Sequence, residues 1–172
     1  MALTLIKETG AGLANANSYA DVADGVAYHE AHVYATPWDN AGAAAQAVAL
    51  VMATRLIDAE YQFNGLRAVA GQALQWPRED CPSPDDEDVL PDDEIPKAIV
   101  EATCELAREL LIADRTAAPA GEGLSYANVG STQTGYDKSD TRPIIPSVVQ
   151  SLLGKFGALI KSKSGSVKLV RV

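Results

Sequence analysis

The sequence predicts a mainly α protein: a small bundle of about four helices, with a β-hairpin or long loop and an extended strand at the C-terminal end. Three observations support this fold class. Apolar side chains recur at helical spacing, prolines and acidic residues stand where helices would begin, and 172 residues with 47% apolar content suit one domain. We expect a helical domain over residues 1–156 and a basic, flexible arm over residues 157–172.

The first two predicted helices lie between residues 17 and 61. The segment NSYADVADGVAYHEAHVY has helical character, with Ser18 as its N-cap and Pro37 as its end. A second helix begins near Asp39 or Asn40. Its buried face follows from the i, i+4, i+7, i+11 spacing of four residues, which are Leu50, Thr54, Ile57 and Tyr61.

The third and fourth helices are marked by prolines. Pro96 suits the first turn of the third helix, and Asp93 is a candidate cap. The apolar stripe of this helix consists of Ile99, Ala102, Thr103, Leu106 and Leu110. A shorter fourth helix is predicted in IIPSVVQSLLGKF, with Pro146 in its first turn and Gly154 near its end.

Strands are predicted at three places. ALTLIK, residues 2–7, alternates enough to form a short strand. LSYANVG and STQTGYDK form either the two strands of a hairpin or a long loop. Residues 166–172 favour β structure and follow a Ser/Gly/Lys link.

Charge divides the chain into two parts. From Met1 to Thr141 there are 23 acidic and eight basic side chains, a balance of −15, whereas Arg142 to Val172 holds six basic side chains and no acidic one. Phosphate binding requires a positive surface, so the acidic body argues against free nucleic acid as its partner. The basic end is either a solvated cationic terminus or a binding segment.

Motifs of catalysis and metal binding are not found. There is no Gly-rich phosphate loop, nucleophile elbow or paired CxxC, so we expect neither an enzyme nor a cofactor. His29 and His32 stand in HExH rather than HExxH, which favours ordinary surface or interface histidines over a metal site. Cys81 and Cys104 are expected to be reduced thiols, with Cys104 in a helix core.

Two groups of acidic side chains stand out. One is the run Asp85, Asp86, Glu87 and Asp88; the other is Glu101, Glu105 and Glu109, which share a helix face at i+4 spacing. The run lacks the glycine and glutamate positions of an EF-hand loop. A solvated loop, or a surface facing a basic partner, is therefore favoured over a calcium site.

Several segments together resemble a known family. They are NSYADVADGVAYH, AVALVMATRLIDAEYQFNG, QALQWPR, IPKAIVEATCELA, YANVGSTQTGYD and PSVVQSLLGKF, which span about residues 15 to 156. In this pattern the chain resembles tailed-phage head–tail adaptor, or head-completion, proteins. Related chains are often labelled DnaT-like single-stranded-DNA-binding proteins. The enlarged acidic loop and the basic end after Phe156 depart from the pattern.

The resemblance implies a helical subunit of a ring, usually of twelve copies, in the neck of a virion. Such a ring lies beneath the portal protein, extends the channel through which duplex DNA passes, and offers a platform for a tail, stopper or nozzle protein. The protein would be made in the cytoplasm of the bacterial host. A membrane partner is not expected, because no apolar run approaches the ~20 residues of a membrane span.

The resemblance also implies roles for particular residues. Trp76 and Pro77 would anchor the loop between the second and third helices, while Arg78 would pair with a carboxylate nearby or on the next subunit. Trp76 is also a candidate for a simple core residue; both roles are compatible, because Trp and Arg are typical of buried interface centres. The acidic groups named above are candidates for facing the lumen or a partner, where carboxylates would keep DNA sliding.

The alternative function is that of a single-stranded-DNA-binding replication accessory protein, as the DnaT-like label implies. Such a protein should present a basic groove interleaved with aromatic side chains, and here the aromatics lie in the acidic body. A last expectation concerns the arm. Its strand, formed by Ser166, Val167, Lys168, Leu169, Val170, Arg171 and Val172, pairs either with ALTLIK of its own subunit or with the portal by strand addition.

Overall fold

The computed structural model describes residues 3–85, 88–117, 126–129, 132–135 and 142–160. Within these residues the chain forms five helices and six short strands. In chain order they are α1 (Val22–His29), α2 (Thr36–Asp39), α3 (Ala43–Glu60), β1 (Tyr61–Phe63), β2 (Leu66–Arg67), β3 (Arg78–Glu79), α4 (Lys97–Ile112), β4 (Tyr126–Val129), β5 (Thr132–Gly135), α5 (Ser147–Leu153) and β6 (Gly157–Leu159).

The fold is rich in helix but mixed, which supports the helical prediction in its coarse form. The described strands form antiparallel pairs, β1 with β6, β2 with β3 and β4 with β5. The β4–β5 pair confirms the predicted hairpin. Helices α3 and α4 make the most extensive helix–helix contact, and α1, α2 and α5 all pack on α4.

The first predicted helix is shorter than expected: α1 covers only Val22–His29, and a separate short helix, α2, follows it at Thr36–Asp39. Asp21, not Ser18, is the N-cap of α1: its side chain accepts from the Asp24 N–H while the Asp24 side chain accepts from the Asp21 N–H. This reciprocal pair satisfies two N–H groups that a helix start leaves open. Pro37 does not end this helix but lies in the first turn of α2, where its missing N–H costs nothing.

Helices α3 and α4 supply the predicted core. The face of Leu50, Thr54, Ile57 and Tyr61 is buried, as are Ile99, Ala102, Thr103 and Leu106 of α4. Pro96 is the N-cap of α4 and makes no side-chain cap bond, so the expectation of an Asp93 cap was wrong. Pro146 is the N-cap of α5 rather than part of its first turn, and Gly154 is the C-cap, near the predicted end.

At both ends of the described chain the secondary structure differs from the prediction. Residues 3–7 form no regular strand; Lys7 makes only an isolated bridge with Ser18. The first residues of the predicted arm, Gly157–Leu159, form β6, which pairs with β1. Residues 161–172 lie outside the described residues, and with them the predicted strand of the arm.

A close helix contact gives a first testable result. A Cβ added at Gly25 of α1 would lie 2.3 Å from Cζ2 of Trp38, whose side chain is buried. We expect Gly25→Ala to cost about 1–3 kcal/mol of unfolding free energy through overpacking. Gly42→Ala is the matched control, since a Cβ there meets no described atom within 4 Å. Equal thermal midpoints for the two variants would contradict the packing.

Candidate functional site

The side chain of Trp76 lies in space between β1 and the segment that follows α5, and Pro77 is the next residue in the chain. The Trp76 side chain is fully buried, and its peptide bond to Pro77 is cis. The Trp76 ring meets Phe63 and Phe156 edge-on, at centroid distances of 5.7 and 6.0 Å. Edge-to-face contacts of this kind add to the burial energy. Trp76 is therefore a core residue of the chain that joins β1 to the segment after α5.

Arg78 is buried and bonded to backbone carbonyl groups. Its Nε donates to the Asn64 oxygen at 2.6 Å, and Nη2 donates to the Gly65 oxygen at 2.6 Å. Further bonds reach the carbonyls of Gln75 and Phe63. Within the described residues Arg78 forms no ion pair with a carboxylate, so the predicted pairing nearby in the same chain is not made, while pairing with the next subunit stays a prediction. The guanidinium instead holds the turn after β1 against the segment before β3.

Tyr19 and Asp58 form a polar cluster beside Trp76 that the sequence did not reveal. The Tyr19 hydroxyl donates to Asp58 Oδ1 at 2.5 Å and accepts from the backbone N–H groups of Gln75 and Trp76. Asp58 Oδ2 also accepts from the Gln75 N–H. Burial raises the pKa of Asp58 to about 6. The cluster ties α3 and the segment before α1 to the loop of Trp76.

The three predicted acids of α4 are all partnered. Glu101 pairs with Lys97 at 3.1 Å, and Glu109 pairs with Arg115 at 2.9 Å. Glu105 is buried and bonds Arg108 at 2.7 Å, so its carboxylate lies inside the protein rather than facing a lumen or partner. The three residues do not form a uniform acidic surface. One carboxylate is buried, and the negative charge of each is partly neutralised by a different basic side chain.

The acidic loop is only partly described. Asp85 is exposed and lies 3.5 Å from Lys155, which precedes β6. Asp88 is also exposed, and its carbonyl accepts from the Ser83 N–H. Asp86 and Glu87 lie outside the described residues. The described part of the loop thus contacts the end of α5 through the exposed Asp85–Lys155 ion pair, and an exposed pair of this kind contributes little stability.

A groove of about 530 Å³ runs between α1 and α4. His32 lines it, with Nε2 3.4 Å from Glu105 Oε2. His29 is not the surface residue that was expected: it is buried, its Nε2 lies 3.2 Å from the Cys104 carbonyl oxygen, and burial lowers its pKa. Nowhere in the described residues do three or more His, Cys, Asp or Glu side chains form a group that could hold a metal ion.

Both cysteines are buried and free. Cys104 lies in the core, as the sequence predicted. Burial raises the pKa of its thiol to about 12, which keeps the thiol protonated and unreactive.

Comparison with known families gives one match. Residues 3–172 match the sequence profile of a family described as "Putative DnaT-like ssDNA binding protein". The chain belongs to this DnaT-like family. The description agrees with the label attached to the resemblance above and does not itself name a head–tail adaptor. No curated protein and no solved structure matched the chain.

In this member of the DnaT-like family, most basic side chains of the body form ion pairs or hydrogen bonds within the chain. Lys7, Lys97, Arg108 and Arg115 form ion pairs with carboxylates, and Arg78 is buried among carbonyl groups. Arg55 and Arg67 are exposed. The described body therefore offers few cations to a phosphate backbone. None of the described helices has both the length and the apolar character needed to cross a bilayer.

Proposed function

We propose that the protein is a non-enzymatic structural subunit of a virion neck. In this proposal, copies assemble into a ring, dodecameric as in the adaptors it resembles, beneath the portal protein. The ring extends the DNA channel and carries a tail, stopper or nozzle protein on its other side. Duplex DNA passes through the lumen without specific binding.

The distribution of charge carries this proposal. The body has a balance of −15, and four of its eight basic side chains are neutralised in described ion pairs. A surface of this kind repels phosphate, which suits a wall past which DNA moves. Large exposed apolar side chains, among them Val33, Tyr34 and Val48, support association with other protein surfaces.

The second candidate is a single-stranded-DNA-binding replication accessory protein. The description of the matched family favours this candidate over the first. The arm of residues 157–172, which holds four basic and no acidic side chains, would then be the part that contacts phosphates. The acidic body would contribute little to such binding.

Two measurements on the purified full chain separate the candidates. The first is the mass in solution by native mass spectrometry; the second is binding of a labelled single-stranded oligonucleotide as salt is raised from about 50 to 200 mM. We expect a multi-subunit mass and weak DNA binding. A monomer that binds tightly, with a steep loss of affinity as salt rises, would favour the replication function.

A charge-neutralised arm tests where any DNA binding resides. Replacing Lys161, Lys163, Lys168 and Arg171 with glutamine should abolish residual binding, because it removes most of the phosphate-contacting charge. The matched control replaces the exposed Arg55 and Arg67 of the body with glutamine and should leave residual binding nearly unchanged. If the control loses binding and the arm variant does not, DNA contacts the body instead.

A further inference from the structure

An apolar groove of about 610 Å³ lies between the first half of α3 and the last turns of α4. Its apolar lining includes Ala44, Ala45, Val48 and Met52 on one side and Leu110 and Leu111 on the other. Val48 is 54% exposed, although it lies on a helix whose opposite face forms the core. Contiguous exposed apolar surface with this shape is typical of a protein-binding site.

The same chain carries an exposed apolar loop tip. Val33 and Tyr34, between α1 and α2, are 88% and 73% exposed. Their loop is held by defined bonds: the Tyr34 N–H donates to His32 Nδ1 at 3.0 Å, and the His32 N–H donates to the His29 carbonyl. His32 is in turn placed against the buried carboxylate of Glu105. The loop tip is thus a fixed apolar projection.

One cation beside the groove is complementary to the acids beside the loop tip, and the groove is also lined by one carboxylate, that of Asp114. Arg55 is exposed on α3, three residues after Met52 and seven after Val48, which places it on the same helix face as the groove. It forms no ion pair within the described residues. Glu30 and Asp39 are exposed on either side of the loop tip in the sequence. A carboxylate flanking Tyr34 can therefore meet Arg55 when the loop tip enters the groove.

We propose that the groove between α3 and α4 binds the Val33–Tyr34 loop tip of a second copy of this chain. Tyr34 is the aromatic anchor, and Val33 packs beside it on Val48 and Met52. The contact joins two different surfaces, so a pair of copies keeps one free groove and one free loop tip. Such a contact either closes into a ring or extends into a filament. The inference rests on the proposed ring and identifies its subunit contact.

Three variants of the full chain test the contact. Val48→Asp places a charge in the groove, and the double variant Val33→Ser with Tyr34→Ser removes the loop tip. Each should weaken self-association at least about thirtyfold, the loss expected for the centre of an interface. Val148→Asp is the control, since Val148 is 47% exposed on α5 and is not among the residues that line the groove. It should assemble like the unaltered protein.

Mixing the two disruptive variants gives the sharpest result. The Val48→Asp protein keeps a loop tip and the double variant keeps a groove, so an equimolar mixture should form dimers but no larger species. Sedimentation velocity over a series of concentrations measures all cases, and circular dichroism checks that each variant is folded. Because the loop variant alters only exposed side chains, it tests the contact even if Val48→Asp fails to fold.

The possible failures are distinguishable. If the unaltered protein and the variants all assemble equally, the contact lies elsewhere and the ring remains. If both variants are folded monomers whose mixture stays monomeric, the loop tip does not bind the groove. An unaltered protein that is monomeric at every concentration would overturn both the ring and the contact.

Discussion

Replacing Trp76 with alanine is expected to lower the free energy of unfolding by about 3–5 kcal/mol. The indole is fully buried and fills the space between Phe63 and Phe156. Alanine would leave a cavity at the point where β1 meets the segment after α5. The peptide group between Gln75 and Trp76 is fixed at both its N–H, which donates to Tyr19, and its carbonyl, which accepts from Arg78, so the site cannot easily collapse around the smaller side chain.

Denaturant unfolding with both variants, Trp76→Ala and Trp76→Phe, measures this cost. The indole Nε1 has no hydrogen-bond partner among the described atoms, so phenylalanine removes volume without breaking a polar contact. We expect Trp76→Phe to cost less than about 1.5 kcal/mol, because it retains an aromatic ring in the same space. Nearly equal unfolding midpoints for the two variants would show that Trp76 is not a core residue.

The long helices could be predicted because their apolar residues repeat over many turns. Leu50 and Ile57 on α3, and Ile99 and Leu106 on α4, follow that spacing and are all buried. Proline adds a signal that depends on backbone chemistry alone, which explains why Pro96 and Pro146 marked helix starts correctly. Long-range packing was not needed for either inference.

The start of α1 was predicted wrongly, because Ser18 does not cap this helix. Ser18 instead donates from its hydroxyl to the Ala20 carbonyl at 2.6 Å, within a turn of its own. Asp21 caps the helix because Asp24 stands three residues later and can return the bond. Local sequence allows both arrangements, and packing selects one of them.

The site was harder to predict because its partners are backbone groups or distant side chains. The sequence marks Arg78 as an arginine near many acids, but its acceptors are carbonyl oxygens exposed by the turn after β1. Likewise, the equal spacing of Glu101, Glu105 and Glu109 does not reveal that only Glu105 is buried beside Arg108. Tyr19 and Asp58 are 39 residues apart and meet only in the folded chain.

Replacing Arg78 with alanine is expected to lower the free energy of unfolding of the chain by about 3–4 kcal/mol. The guanidinium donates to four carbonyl groups, those of Phe63, Asn64, Gly65 and Gln75. Alanine leaves these acceptors without their donor in a site where Arg78 itself is only 4% exposed. The hydrogen bonds that connect the turn between β1 and β2 to the loop of Trp76 would then be lost.

The comparison of Arg78→Ala with Arg78→Lys separates charge from geometry. Lysine keeps the positive charge but cannot donate in several fixed directions from one planar group, so it should recover only part of the lost stability. Thermal unfolding and solution mass should be measured together. Because the hydrogen bonds of the guanidinium are all made within the same chain, the variant should unfold at a lower temperature, and any loss of assembly should follow from that loss of folding. An Arg78→Ala protein that unfolds at the normal temperature yet no longer assembles would instead place Arg78 between subunits, as the resemblance implied.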